Sequence, residues 1–318
     1  MLAVLRTPLD KAAVAQAVTR WRKDELEAAV IEQGGCAAAM RTQDEWARHP
    51  QGLAVRAEPL LIHDTVSVEG QRPLWSVPAA RPLQGVRVLD LTRILAGPVA
   101  TRFLAGFGAD VLRIDPIDWD EPNTVPEVVL GKRSARVDLK SGDGRAVLRR
   151  LIRDADERRR INPGLVDVSL DAYGWSGPWR GRRGFDSLVQ TSTGLVETAM
   201  RVKGADRPVP LPVQALDHGT GYLLAAAALR GLTRRLATNV GTRTRGSLAR
   251  TSLLLSSGGL QAPERALLAP EEPGDLDAWI EETSWGSAQR VRVPARVDGV
   301  PMRWAHPART LGFSTATW

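Results

Sequence analysis

The sequence predicts an α/β protein: a large domain built on a parallel sheet, with a smaller α/β domain beside it. The first observation is the order strand, helix, strand within residues 85–116. Val86, Val88 and Leu89 begin a short apolar run rich in β-branched residues, long enough for one buried strand. Gly97-Pro98 opens a helical pattern, with proline at the first helical position, where its missing N–H costs nothing. Val99, Phe103 and Leu104 fall on one face of that helix, which ends near Gly106 or Gly108, and Val111–Ile114 is a second strand. Such a unit makes the two strands parallel and joins them by a right-handed crossover. The second observation is size: 318 residues, 43% of them apolar, suffice for two domains with cores of their own.

In parallel sheets ligands sit at the carboxyl ends of the strands, here Thr92 to Pro98, where N–H groups at a helix start can meet an anion. A dinucleotide site needs three glycines at fixed spacing, and Thr92–Gly97 has one. Asp115, at the end of the second strand, is therefore read as a solvated strand end.

Residues 1–66 form a small α/β segment. Val14, Val18 and Trp21, then Leu26, Ala29 and Val30, give two helical patterns, the second closed by Gly34-Gly35. Thr42-Gln43-Asp44-Glu45 is a capping box before a short helix ending at His49-Pro50, and Leu60-Leu61-Ile62 is a strand. Residues 67–84, with Pro73, Pro78 and Pro82, form a linker to the large domain at 85–260. Within that domain Ala135–Leu139 and Leu165–Leu170 are strands, Asp143 caps a helix through Leu151-Ile152, and Leu216–Leu236 is a long alanine-rich helix. Residues 261–318 are a linker and a β-rich segment, with Val297-Asp298-Gly299-Val300 as a hairpin turn.

The net charge of +7 invites a polyanion reading, but the arginines are scattered, with clusters at Arg158–Arg160 and Arg180–Arg183 and no lysine- or aromatic-lined stripe. Nucleic acid is not an expected partner. Cys36 stands alone, which fits a reducing compartment. The start of the chain has no adequate apolar leader and no later run is long enough to span a membrane, so a cytoplasmic protein is expected. His49, His63, His218 and His306 have no ligand spacing, so no metal is assigned.

Seven short segments in order carry a resemblance. D-L-T-R-x-L-A-G-P at 90–98 with G-A-D-V-x-x-I at 108–114 comes first, followed by Gly131-Lys132-Arg133-Ser134 and Val137-Asp138-Leu139-Lys140. Then come Asn162-Pro163-Gly164-Leu165-Val166, Gly184 to Gln190, and Ala215-Leu216-Asp217. Over most of 82–256 the chain resembles the large domain of the family III CoA-transferases, which include formyl-CoA and carnitine CoA-transferases and the related α-methylacyl-CoA racemases. The resemblance implies a Rossmann-like large domain, acyl-CoA and a carboxylic acid as substrates, no covalently bound cofactor, and an interlocked homodimer. The helices at 1–66 are similar to a small domain that in the family normally follows the large one, which implies a permuted or tandem-derived order. Between Asp156 and Asn162 the family usually carries an extra strand and a turn whose backbone touches CoA; this chain passes directly through Glu157–Ile161. A family member that binds CoA without turnover is the alternative on that ground.

By spacing alone Asp217 reads as the N-cap of the long helix. The resemblance makes it the nucleophile, because in the family an aspartate with a glycine four residues on precedes this helix, and Asp217 with Gly221 matches. A carboxylate suits a reaction in which a thioester is converted to a mixed anhydride and CoA thiolate. Asp186 matches the family's second acidic position, with a supporting or proton-handling role; by spacing it also reads as a cap for Ser187–Gln190. The racemases have a proton-exchanging histidine just before this acid, and here that residue is Phe185. Arg93, Ile94, Leu95, Ala96, Lys140 and Arg183 match positions that contact CoA in formyl-CoA transferase-like members, and the cations among them suit phosphates.

Overall fold

The computed structural model describes residues 1–66, 75–154, 164–258, 270–293 and 295–318. The junction between Asp156 and Asn162, the arginines 158–160 and the first part of the 67–84 linker lie outside the described residues. The chain folds into two units, each assembled from separate stretches. One comprises Met1–Ile62, Leu170–Leu216 and Arg245–Leu260; the other comprises His63–Ser169, Asp217–Thr244 and Gln261–Trp318.

The N-terminal stretch is helical, with α1 (Leu2–Leu5), α2 (Lys11–Val18), α3 (Lys23–Glu32), α4 (Gln43–Arg48) and α5 (Pro50–Ala57). There follow β1 (Ile62–Val66), β2 (Arg87–Asp90), α6 (Ala96–Gly106), β3 (Asp110–Asp115), α7 (Val125–Val128), β4 (Lys132–Arg136), α8 (Gly142–Asp154) and β5 (Val166–Asp171). The remainder runs α9 (Asp186–Ser192), α10 (Leu195–Lys203), α11 (Ala215–Thr238), β6 (Gly241–Ser247), α12 (Leu248–Ser257), β7 (Leu276–Thr283) and β8 (Gly286–Val291). The fold is α/β, with sheets ordered β2-β3-β4 and β1-β6-β5 and a separate β7–β8 hairpin.

The central sheet is parallel as the strand–helix–strand pattern requires: Arg87 pairs with Asp110, Asp90 with Arg113, Val111 with Lys132 and Asp115 with Arg136. Alternation along β3 sends neighbouring side chains to opposite faces. Val111 packs in one cluster with Leu104 of α6, Phe107 just past that helix, and Ala228 and Leu232 of α11. Leu112 and Ile114 pack with Leu151 and Ile152 of α8. Both faces are thus covered by helices, as a parallel sheet demands. Its strands all end at one edge, at Asp90, Asp115 and Arg136.

Several boundaries differ from the expectation. β4 starts at Lys132 rather than Ala135, because a buried ion pair lets a lysine lie inside a strand that hydropathy places later. β1 begins at Ile62, leaving Leu60 and Leu61 in the preceding loop. Pro98 is the third residue of α6, still among the positions whose N–H has no intrahelical acceptor. The Thr42–Glu45 capping box is present. His49-Pro50 ends α4 but also opens α5, which the sequence reading did not anticipate: Pro50 takes the first helical position and His49 Nδ1 accepts the Gln51 N–H.

Helix α5 anchors the turn that leads to α9. The fully buried Gln51 amide donates to the carbonyls of Tyr173 and Ser176, at 2.9 and 2.8 Å, and accepts the Trp179 N–H at 2.7 Å. Just past α5, Glu58 Oε1 accepts the N–H groups of Trp175 and Ser176, at 2.8 and 2.7 Å, and the Ser176 hydroxyl at 2.6 Å. Two side chains from the N-terminal helices thereby satisfy the backbone of a tight, glycine-containing turn that would otherwise bury unpaired donors and acceptors.

Candidate active site

At the carboxyl edge of the central sheet, the loop from β2 to α6 is held by three acids. Asp90, with no exposed side chain, accepts the Thr92 N–H and hydroxyl at Oδ1 and the Thr101 hydroxyl at Oδ2. Its Oδ2 also meets the ammonium of Lys132 at 2.9 Å, and Lys132 in turn donates to the Pro98 carbonyl at 3.0 Å. Burial works against the charge of Asp90, but Lys132, Arg113 and the Thr101 hydroxyl hold its carboxyl below the usual aspartate range. Asp115 chelates Arg113 through both oxygens, and Arg113 also pairs with Glu121.

Glu121 belongs to the loop between β3 and α7. Its Oε2 accepts the Ile94 N–H at 2.9 Å. Ile94 stands at φ 66°, a conformation strongly disfavoured for a β-branched residue, so the fixed loop shape carries strain. Strain of this kind persists where surrounding bonds over-determine it. The N–H groups of Thr92 and Ile94, expected to face an anion, are instead engaged by Asp90 and Glu121.

Arg93 is also engaged inside the loop. Its Nε lies 3.1 Å from Asp115, and it donates to the carbonyls of Leu91 and Thr92. Burial pushes its guanidinium below the usual arginine range, opposed by Asp115. Leu95 and Ala96 are buried at the start of α6. Lys140, beyond the end of β4, is exposed and pairs with Asp118 at 3.1 Å. The strands' parallel direction brings the Arg93–Ala96 loop and the Lys140 turn to the same sheet edge.

Asp217 is the third residue of α11 and only 6% exposed, so it lies within the first turn rather than at the N-cap position that spacing suggests. A carboxylate there is favoured by the helix dipole. One turn on, a Cβ at Gly221 would sit 2.6 Å from the Ala96 carbonyl oxygen and 2.8 Å from the Val99 side chain. Only glycine permits α11 to approach α6 so closely. Tyr222 then packs against the buried cluster that includes Leu95 and Val99. Residues four apart share a helix face, so Asp217 lies on the stripe of α11 that Gly221 presses against Ala96. Gly221→Ala is expected to destabilise the protein by about 1–3 kcal/mol through overpacking, read as a lowered urea midpoint with unchanged slope.

Asp186 and Arg183 belong to the other unit. Asp186 is the first residue of α9, not its cap; Phe185 occupies the N-cap position and makes no side-chain cap bond. Asp186 is 2% exposed and accepts at Oδ1 from the amide of Gln190, one turn on and the last residue of the Gly184–Gln190 segment. Phe185 is 38% exposed and Arg183 is exposed.

Comparison with known proteins gives this geometry a family. The model of CoA-transferase family III matches residues 83–157 and 156–284, more than half of the chain. An acyl-CoA transferase of Fusarium pseudograminearum is 31% identical over 219 residues, covering 56% of this chain and 48% of that protein. The mouse succinyl-CoA:glutarate CoA-transferase is 30% identical over 257 residues, covering 70% of this chain and 55% of its own length. The crystal structure of Rv3272 from Mycobacterium tuberculosis in its orthorhombic form superposes with a TM-score of 0.51 at 29% identity, over 56% of this chain and 57% of the other. The chain thus spans about half the length of the relatives it matches. Among the described residues no helix is long and apolar enough to cross a membrane. With the family model running through the β2–α6 loop, α9 and the start of α11, the chain belongs to CoA-transferase family III.

Proposed function

We propose that the protein moves CoA from an acyl-CoA thioester to a carboxylic acid acceptor, with Asp217 as nucleophile. The observation that carries this reading is a buried carboxylate in the first turn of α11, one turn before a glycine that seats the helix against the Ala96 carbonyl. The Asp217 carboxylate attacks the thioester carbonyl; the C–S bond breaks, giving an acyl–aspartyl anhydride and CoA thiolate. The thiolate attacks the aspartyl carbonyl, releasing the donor as its carboxylate and leaving an aspartyl–CoA thioester. The acceptor carboxylate then repeats these steps in reverse, and the cycle consumes no net proton. Asp186 supports the reacting carbonyl or handles a proton there.

In this reading Arg93, Ile94, Leu95, Ala96, Lys140 and Arg183 contact CoA. Lys140 and Arg183, exposed cations, meet its phosphates, while the half-buried Arg93 makes its contact from within the loop it shapes. CoA enters as substrate and no covalent cofactor is needed; an interlocked homodimer in the cytoplasm completes the proposal. Phe185 favours transfer over racemisation, since a phenyl ring in the position before Asp186 has no proton to exchange.

Incubation with an acyl-CoA and an isotopically labelled carboxylic acid tests the activity. The expected result is a labelled acyl-CoA with parallel-line, ping-pong kinetics, and CoA binding that weakens as salt screens Lys140 and Arg183. Binding of CoA with no exchange against any carboxylic acid would replace the transferase reading with that of a CoA-binding family member.

A further inference from the structure

Gln190 is 1% exposed and its amide is occupied at both ends. Its Oε1 accepts the Leu211 N–H at 2.7 Å, and its Nε2 donates to Oδ1 of Asp186. The backbone N–H of Leu211 can only donate, so it fixes which way the amide points. The NH2 group must then face Asp186, and Oδ1 of that carboxyl must be an acceptor. Any proton that Asp186 carries is confined to Oδ2.

The other end of the amide bears on a second strained segment. Leu211 precedes the short 3₁₀ turn Pro212–Gln214, in which Val213 and Gln214 stand at φ 53° and 49°. Two consecutive left-handed non-glycine residues, one of them β-branched, are held only where neighbouring bonds require it. This turn runs directly into α11, whose third residue is Asp217.

We infer that Gln190 is a positioning residue for the exchange reaction: one fixed amide reserves Oδ1 of Asp186 as an acceptor and pins Leu211 at the start of the strained turn that leads into α11. The inference rests on the role given above to Asp186. In that role Gln190 acts by holding one oxygen of Asp186 and one N–H of the turn in register.

The test pairs Gln190→Met, which removes donor and acceptor at similar length, with Gln190→Glu, which keeps the acceptor and replaces the donor by a carboxylate oxygen. Exchange is measured against Asp186→Ala, normalised to folded protein, with kcat and KM for the acyl-CoA determined separately. Gln190→Met is expected to lose at least about tenfold in kcat with little change in KM, since the lost interaction serves the reacting state. Gln190→Glu is expected to be equally slow at neutral pH and to recover as the pH is lowered. One proton held between the introduced carboxylate and Asp186 restores an O–H donor facing Oδ1, while the other introduced oxygen still accepts from Leu211. Loss of stability alone would not produce that recovery.

The side-chain NH2 resonances of Gln190 in 15N-glutamine-labelled protein give a reading independent of turnover, and are expected to shift in Asp186→Ala. A slow Asp186→Ala beside Gln190 variants of wild-type kcat, or resonances that do not move, would overturn the positioning role alone. An Asp186→Ala protein that exchanges at the wild-type rate would instead remove the role of Asp186, and the positioning role with it.

Discussion

Asp217→Asn is expected to abolish CoA exchange, by about 10³-fold or more, while leaving the protein folded and able to bind CoA. The amide is nearly isosteric with the carboxylate but is not a nucleophile toward a thioester, so no anhydride can form. Loss of a nucleophile removes a whole pathway rather than one stabilising contact, which places its effect far above that of any neighbouring group. Asp186→Ala, by contrast, is expected to slow exchange while the covalent adduct still forms. Steady-state exchange with each variant, beside a CoA-binding isotherm, separates the two roles.

The second large effect concerns stability. Lys132→Met is expected to destabilise the protein by about 3–5 kcal/mol, since it leaves Asp90 charged, buried and without its ammonium partner. Both side chains are fully buried, so solvent cannot take over the lost interaction. Asp90 also organises Thr92 and Thr101, and the damage should spread to the loop that carries Arg93 to Ala96. The sign of the pH dependence follows from Asp90, whose carboxyl is held below the usual range in the folded state. Its contribution is complete above about pH 4, the ordinary aspartate value, and is lost as the pH falls further. Chemical denaturation across that range should show a shallower acid limb in Asp90→Asn than in the wild type. The double variant Asp90→Asn/Lys132→Met should cost less than the sum of its parts, because neither charge then stands alone.

How far the sequence disclosed this molecule depends on how local each signal is. The β2–α6–β3 unit was legible because its apolar residues keep strand and helix periods within about thirty positions. The capping box at Thr42–Glu45 was legible for the same reason, being complete within four residues. β6, by contrast, reads Gly-Thr-Arg-Thr-Arg-Gly-Ser, a polar string whose Thr242 and Thr244 are buried by tertiary packing that no window reveals. β4 was displaced in the same way, by a lysine whose partner lies 42 residues away in sequence.

The site divides along that line too. Asp217 and Gly221 were legible as a pair because four-residue spacing on a helix is visible in the sequence, and the proposed role of the pair comes from the resemblance. Glu121 was missed as a support of the β2–α6 loop, since its acceptor role toward the Ile94 N–H arises only once two loops meet at the sheet edge. Gln51 and Glu58 were missed because their partners lie more than a hundred residues further on. Gln190 closes the Gly184–Gln190 segment of the resemblance and sits one helical turn from Asp186, a spacing at which side chains meet, but its second partner, the Leu211 N–H, lies 21 residues further on.

The central claim is that Asp217 becomes covalently attached during exchange, and mass spectrometry tests it most directly. Protein incubated with an acyl-CoA, quenched with hydroxylamine and digested should carry a hydroxamate on the peptide containing Asp217 and on no other acidic residue, and the adduct should be absent from Asp217→Asn. Labelled CoA exchange that proceeds without any modification of Asp217, or a hydroxamate on a different carboxylate, would contradict the account.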